Sequence, residues 1–281
     1  MRRAVWFVLG GIASVQFGAA IAKGLFDRIE PTGMVLLRLL ASAVVLLVVA
    51  RPSVRGRSRT DWLVVAGFGL SLGLMNWAIY QSFARIPIGL AVTIEFIGPL
   101  TIAIVGSRRL RDLVWVALAG TGVLLLGLDP TGVTVVGVGF ALLAGAAWAA
   151  YILLSASTGR RWPGMDGLAM ASAFAALLFL PHAVTAGGRA LLHVDILLLG
   201  AAVGMLSSVI PYSLELAALR ELRPAVFGIL MSLEPAAAAL AAALVLGELV
   251  TPVQAVATGC VIAASIGATR STRLHHEPVP D

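Results

Sequence analysis

Apolar runs of about twenty residues, separated by short connectors rich in Pro, Gly and Arg, recur about ten times along the chain. A helix that crosses the hydrocarbon core of a bilayer needs about 20 mostly apolar residues, so each run predicts one membrane span. The runs centre on residues 4–22, 33–50, 62–83, 88–106, 113–128, 133–155, 167–184, 196–219, 225–246 and 252–268. Few connectors exceed ten residues, which leaves no room for a soluble domain between spans. The tail 270–281 reads as a disordered cytoplasmic segment.

Composition agrees with an all-α membrane protein. The 281 residues are 59% hydrophobic and only 12% charged, too few charges for a soluble chain of this size. A formal net charge of +6 raises the question of nucleic acid. The basic residues, however, cluster between apolar spans without aromatic interleaving or a recognition motif, which argues against a nucleic-acid partner. Cys260 is the single cysteine and lies in the last apolar run, so no disulfide framework or Cys/His metal cluster is expected.

Charge placement predicts orientation. With the N-terminus in the cytoplasm, fifteen of the 20 lysines and arginines fall in inside segments. Lys23, Arg28, Arg85 and Arg189 fall outside and Arg38 within a span. By the positive-inside rule both termini are cytoplasmic, which requires an even number of spans.

Two stretches echo each other across the halves. Residues 83–99 read FARIPIGLAVTIEFIGP and residues 217–235 read AALRELRPAVFGILMSLEP. Each has a tight connector with Arg and Pro, an apolar run, a glutamate and a proline. The chain therefore reads as a duplicated unit, residues 1–128 and 133–269. Five spans per unit is an odd number, so the second unit enters the membrane in the opposite sense and the repeats are inverted. The small-residue tripeptide 20–22 resembles a signal-peptidase site, but the run before it is long, carries Gln16, and its removal would leave one unit a helix short.

A charge at mid-membrane costs roughly 2.5–3.5 kcal/mol on an insertion scale and persists where it faces protein or water. Arg38, Glu95, Glu215 and Glu234 lie deep in their runs, and Lys23 and Glu248 near span ends. Helical spacing places Asn76 with Tyr80 on one face, and Ser208, Tyr212 and Glu215 on another. Such faces can hold a small polar solute. Gln16 and Lys23 lie seven apart on the first span, and Trp148 and Tyr151 three apart on the sixth. For the aromatic pair alone, packing or an interfacial belt is the favoured role. Pro99, Pro211 and Pro235 lie inside spans, where each removes a backbone hydrogen bond beside a glutamate. The pairs Gly69/Gly73 and Gly200/Gly204 have the spacing that lets helices approach closely. No metalloprotease, phosphate-loop or paired-aspartate signature occurs, so the sequence offers no catalytic residue, no metal site and no cofactor.

These residues carry a family resemblance. SVQFGAAIAKGLF from Ser14, LRL at Leu37, SLGLMNWAIY from Ser71, GLAVTIEFIGPL from Gly89 and SRR at Ser107 with Asp112 and Trp115 cover the first half. AGAAWAAYIL from Ala144, PYSLELAAL from Pro211, FGILMSLEPAAAAL from Phe227 and GELVTP from Gly247 cover the second. In these stretches the chain resembles EamA-domain transporters of the drug/metabolite transporter superfamily, most nearly the branch that exports threonine and homoserine. The resemblance implies ten transmembrane helices in two inverted five-helix repeats, a central cavity, and efflux of small metabolites across the bacterial inner membrane.

The combined expectation is export of small amino acids by alternating access, with protons as coupling ion and membrane lipid as surroundings. Glu95 or Glu215 would hold the substrate ammonium, and Lys23, Arg38 or a broken-helix N-terminus its carboxylate. Asn76, Tyr80 and Tyr212 would read side-chain hydroxyls. Glu95, Glu215 and Glu234 are the expected proton sites. Efflux of other metabolites or drugs on the same fold is the competing expectation, with Trp148 and Tyr151 its support.

Overall fold

The computed structural model describes residues 2–107, 113–126, 132–219, 221–222 and 224–273. Arg108, Arg109, Arg111, Asp112, Arg220, Arg223 and most of the expected tail lie outside the described residues. The chain is all-helical among the described residues. Its first half holds α1 (Arg2–Lys23), α2 (Pro31–Ala50), α3 (Arg59–Phe83), α4 (Ile88–Glu95), α5 (Ile97–Ser107) and α6 (Leu113–Leu126). Its second half holds α7 (Val135–Gly159), α8 (Asp166–Gly187), α9 (Val194–Gly204), α10 (Ile210–Leu219), α11 (Pro224–Met231), α12 (Glu234–Leu246) and α13 (Pro252–Arg273).

Eight of the described helical stretches are long and apolar enough to cross a membrane, and Ile88–Ile102 and Leu113–Leu125 are shorter apolar helices. Together they coincide with the ten sequence runs, and the protein is a multi-pass membrane protein. Side chains such as Trp6, Val48, Leu63, Leu124 and Leu244 are exposed on its flanks, as an outer surface solvated by lipid permits.

The departures from straight helices fall at corresponding places. The fourth span is two helices, α4 and α5, parted at Phe96. The ninth is α11 and α12, parted at Ser232 and Leu233. Pro99 cannot donate to the carbonyl of Glu95, and Pro235 cannot donate to that of Met231, so a regular helix ladder cannot continue through either point. Phe96 and Leu233 keep right-handed helical dihedrals, so each span continues through a local interruption, one on the C-terminal side of Glu95 and the other directly before Glu234. The eighth span instead contains a π-helical turn, Met205–Val209, between α9 and α10. Pro211 lies two residues beyond it.

Close approach across the halves depends on missing side chains. A Cβ on Gly145 of α7 would come within 2.7 Å of the Glu95 carbonyl oxygen. One on Gly204 would come within 2.6 Å of Ala41 Cβ and 3.1 Å of the Arg38 carbonyl oxygen. These contacts bring α7 against the first helix break and the π-helical turn against α2. Around them a buried apolar core joins α1–α4 to α7, α8, α9 and α12.

Candidate functional site

Arg38 is the residue from which the site is best built. It lies on α2 and is 7% exposed. Nη2 donates to the Ser207 carbonyl at 2.9 Å, Nη1 to the Tyr80 hydroxyl at 3.4 Å, and Nε to Ser208 Oγ at 3.4 Å. The first bond follows from Pro211, because the α-helical partner of the Ser207 carbonyl would be the N–H that proline lacks. Those three bonds use three of the five guanidinium N–H groups. All three acceptors are neutral, and among the described residues Arg38 has no ion pair.

Arg38 faces a cavity of about 470 Å³, within the range of about 300–1,000 Å³ usual for small-molecule sites. Gln16 of α1, Asn76 of α3, Trp148 and Tyr151 of α7, and Tyr212 of α10 also line it. So do three carboxylates, Glu95, Glu215 and Glu234. Glu95 and Glu234 border the two helix breaks, and both are buried. One guanidinium and three carboxylates lining one cavity leave an excess of acid that an ammonium or a proton can offset.

Three expected site residues are placed differently. Lys23 lies outside the cavity lining: its Nζ pairs with Glu248 Oε1 at 2.5 Å and donates to the Ile86 carbonyl at 3.0 Å. At the end of α1 it is held by these two partners. Tyr80 is fully buried behind Arg38 and holds that side chain rather than lining the wall. Ser208 does the same from the other side. Here the π-helical turn adds a residue to the register, so Ser207, not Ser208, joins Tyr212 and Glu215 at the cavity.

Sequence reasoning missed Ser207, Phe96, Met231, Ser265 and Thr269 on the wall. Phe96 packs edge-on against Trp148, ring centroids 5.4 Å apart. Ser265 is tied to Ser232 by a 2.8 Å hydroxyl contact beside the second break. Of these only Phe96, next to Glu95, could have been suspected from the sequence.

The two ends of the cavity differ. At the end where α1 and α3 finish and α4 begins, Glu248 Oε2 accepts from the Ile88 N–H at 3.0 Å while Oε1 holds Lys23. This carboxylate therefore ties α1, the α3–α4 connector and the end of α12 together, and it caps a helix whose preceding residue is proline. At the other end the lining reaches Ile102, Phe227 and Thr269. There α3 meets α7 and α8 at the periphery, through Arg161 on Asp61 at 3.1 Å and Arg57 over the Trp162 ring at 4.3 Å.

Comparison with known proteins fits this architecture. Residues 135–270 match the EamA-like transporter family. The threonine/homoserine exporter RhtA of Escherichia coli (strain K12) is 42% identical over 269 residues, 95% of this chain and 91% of that protein. Its counterpart in Salmonella typhimurium (strain LT2) is 41% identical over the same shares. The chain belongs to the EamA-like transporter family. A crystal structure with 17% identity has the same fold, at a TM-score of 0.65 over 96% of this transporter and 99% of that chain. The family match itself falls on the second half of the transporter; the relatives carry it across the first.

Proposed function

We propose that this transporter exports small amino acids of the threonine and homoserine kind across the bacterial inner membrane, by alternating access and in exchange for protons. The observation that carries the reading is a guanidinium without an ion pair and three carboxylates lining the same cavity. A zwitterion needs both signs. Arg38 takes the substrate carboxylate through its remaining N–H groups, and Glu95 or Glu215 takes the ammonium. The names of the relatives support this substrate class.

Both termini lie in the cytoplasm, and residues 1–128 and 133–269 form two inverted five-helix units that rock about the cavity. In that orientation the Lys23–Glu248 contact closes the outer end. Substrate enters from the cytoplasmic end, the contact opens, and an external proton replaces the ammonium on a carboxylate, with Glu234 the reserve proton site. One charge moving inward across 100 mV supplies about 2.3 kcal/mol, enough for roughly a fiftyfold gradient at about 1.4 kcal/mol per tenfold.

Counterflow of labelled threonine and homoserine in proteoliposomes tests the proposal. Expected are uptake competed by small amino acids and export accelerated by an inward proton gradient. Competition by purines or aromatic cations, with none by amino acids, would move the same fold to drug or nucleobase efflux.

A further inference from the structure

The end of the molecule away from Lys23 and Glu248 carries its charge differently. Two connectors meet there, 51–58 between α2 and α3 and 160–165 between α7 and α8. Arg57 joins them: Nη1 donates to the Arg161 carbonyl at 2.8 Å, Nε to the Ser53 carbonyl at 3.2 Å, and the guanidinium lies over the Trp162 ring. The Ser53 N–H donates to Asp166 Oδ2 at 3.3 Å, and Arg161 pairs with Asp61. Residues 51–61 and 158–166 hold six arginines and two aspartates, and both aspartates are occupied by these contacts.

Four of the arginines are left over. Arg51, Arg55, Arg59 and Arg160 are exposed and, among the described residues, their side chains make no hydrogen bond or ion pair. Each lies within two residues of one that ties the connectors, so the four charges are held on one small surface. The opposite end neutralises its cations, Lys23 with Glu248 and Arg28 with Asp195. Neighbouring side chains set the depth. Val48 and Val49, each 64% exposed, precede Arg51, and Leu63, 73% exposed, follows Arg59 by one turn. Such apolar exposure at a span end faces lipid. Trp62, edge-on to Trp162 with ring centroids 5.5 Å apart, is of the residue type that settles at headgroup level. The free arginines therefore stand where lipid-facing surface gives way to water.

From this juxtaposition we infer a binding site for the headgroup phosphate of an anionic phospholipid, with Arg51, Arg55 and Arg59 from one connector and Arg160 from the other as its donors. A guanidinium presents a planar fork that matches phosphate. Clustered cations at a leaflet surface attract anionic lipid by an amount that grows with each residue. A phospholipid suits the place better than a soluble anion, because its acyl chains lie along Val48, Val49 and Leu63 while its phosphate meets the arginines. Bound so, the lipid bridges the two connectors and adds to the clasp that Arg57 makes. The connected helices α2, α3 and α7 carry Arg38, Asn76 and Tyr151 to the cavity, so the lipid stiffens that side of the transporter from outside. The site does not depend on what the cavity carries.

Thermal unfolding of the purified transporter in detergent, titrated with phosphatidylglycerol, phosphatidylcholine or inorganic phosphate, tests the site. In the parent, phosphatidylglycerol should raise the midpoint at a concentration at least about tenfold below that needed for phosphatidylcholine. High salt should shrink this preference. The combined variant Arg51→Gln, Arg55→Gln, Arg59→Gln and Arg160→Gln should lose the preference severalfold, while Arg189→Gln at the other end keeps it. Should the combined variant not fold, Arg51→Gln with Arg160→Gln, one donor from each connector, decides. Equal response of the parent to the two lipids, or a parent-like preference in the folded variant, overturns the site. A midpoint raised as much by inorganic phosphate as by phosphatidylglycerol overturns the assignment to lipid.

Discussion

At the residue scale, a buried guanidinium held only by neutral acceptors is an unusual expense unless something anionic visits it. Arg38 is fixed in place by Tyr80, Ser207 and Ser208, so its own position does not depend on substrate. Arg38→Gln should lower threonine counterflow by at least about tenfold. Arg38→Lys should rescue little, because an ammonium cannot reproduce the planar fork. Parent-like flux in Arg38→Lys would point away from a carboxylate site. The carboxylates give the complementary prediction: Glu95→Gln and Glu215→Gln, tested singly for stable expression, should weaken exchange and flatten its dependence on an imposed proton gradient. Unchanged gradient dependence in both would contradict their role. Depth in an apolar run made Arg38, Glu95, Glu215 and Glu234 legible as a set. The partners of Arg38 were not legible, since Tyr80 and Ser208 read from their spacing as wall residues. Which side of a helix meets a cavity is decided by neighbours that are distant in sequence.

At the element scale, breaks and close approaches create the site. Two helix interruptions next to glutamates and one π-helical turn next to Arg38 bring Glu95, Glu234 and Ser207 to the cavity. Prolines at 99, 211 and 235 announce that the backbone ladder is interrupted, but not how. A π-helical turn, unlike a kink, shifts the register of the helix, and that shift is why Ser207 replaces Ser208 on the wall. Gly145 supplies a test of the packing. Gly145→Ala places a methyl within 2.7 Å of the Glu95 carbonyl oxygen, and overpacking of this kind costs about 1–3 kcal/mol. Its thermal midpoint in detergent should drop. Gly139→Ala on the same helix, where a Cβ meets nothing within 4 Å, should leave the midpoint unchanged or raise it slightly through helix propensity. An equal drop in both would mean that the approach of α7 to the first break is not tight.

At the scale of the whole molecule, the ten-span architecture follows from apolar run length alone, and the echo around Glu95 and Glu234 marks the two interrupted spans. The closure at one end was only half legible. Lys23 and Glu248 stand out as charges near span ends, yet nothing in the sequence says that they meet each other and the start of α4. Glu248→Gln should loosen that end, so that an impermeant thiol reagent applied from its side labels Ile79→Cys, in a Cys260→Ser background, severalfold faster. Unchanged labelling would remove the contact from the transport cycle. The central claim, that one cavity clamps both charges of an amino acid, is tested most directly by equilibrium binding to the purified parent protein. Threonine should bind at least about tenfold more tightly than threoninamide, which lacks the carboxylate, and than 3-hydroxybutyrate, which lacks the ammonium. Equal affinity for all three would contradict a zwitterion site at Arg38 and the glutamates.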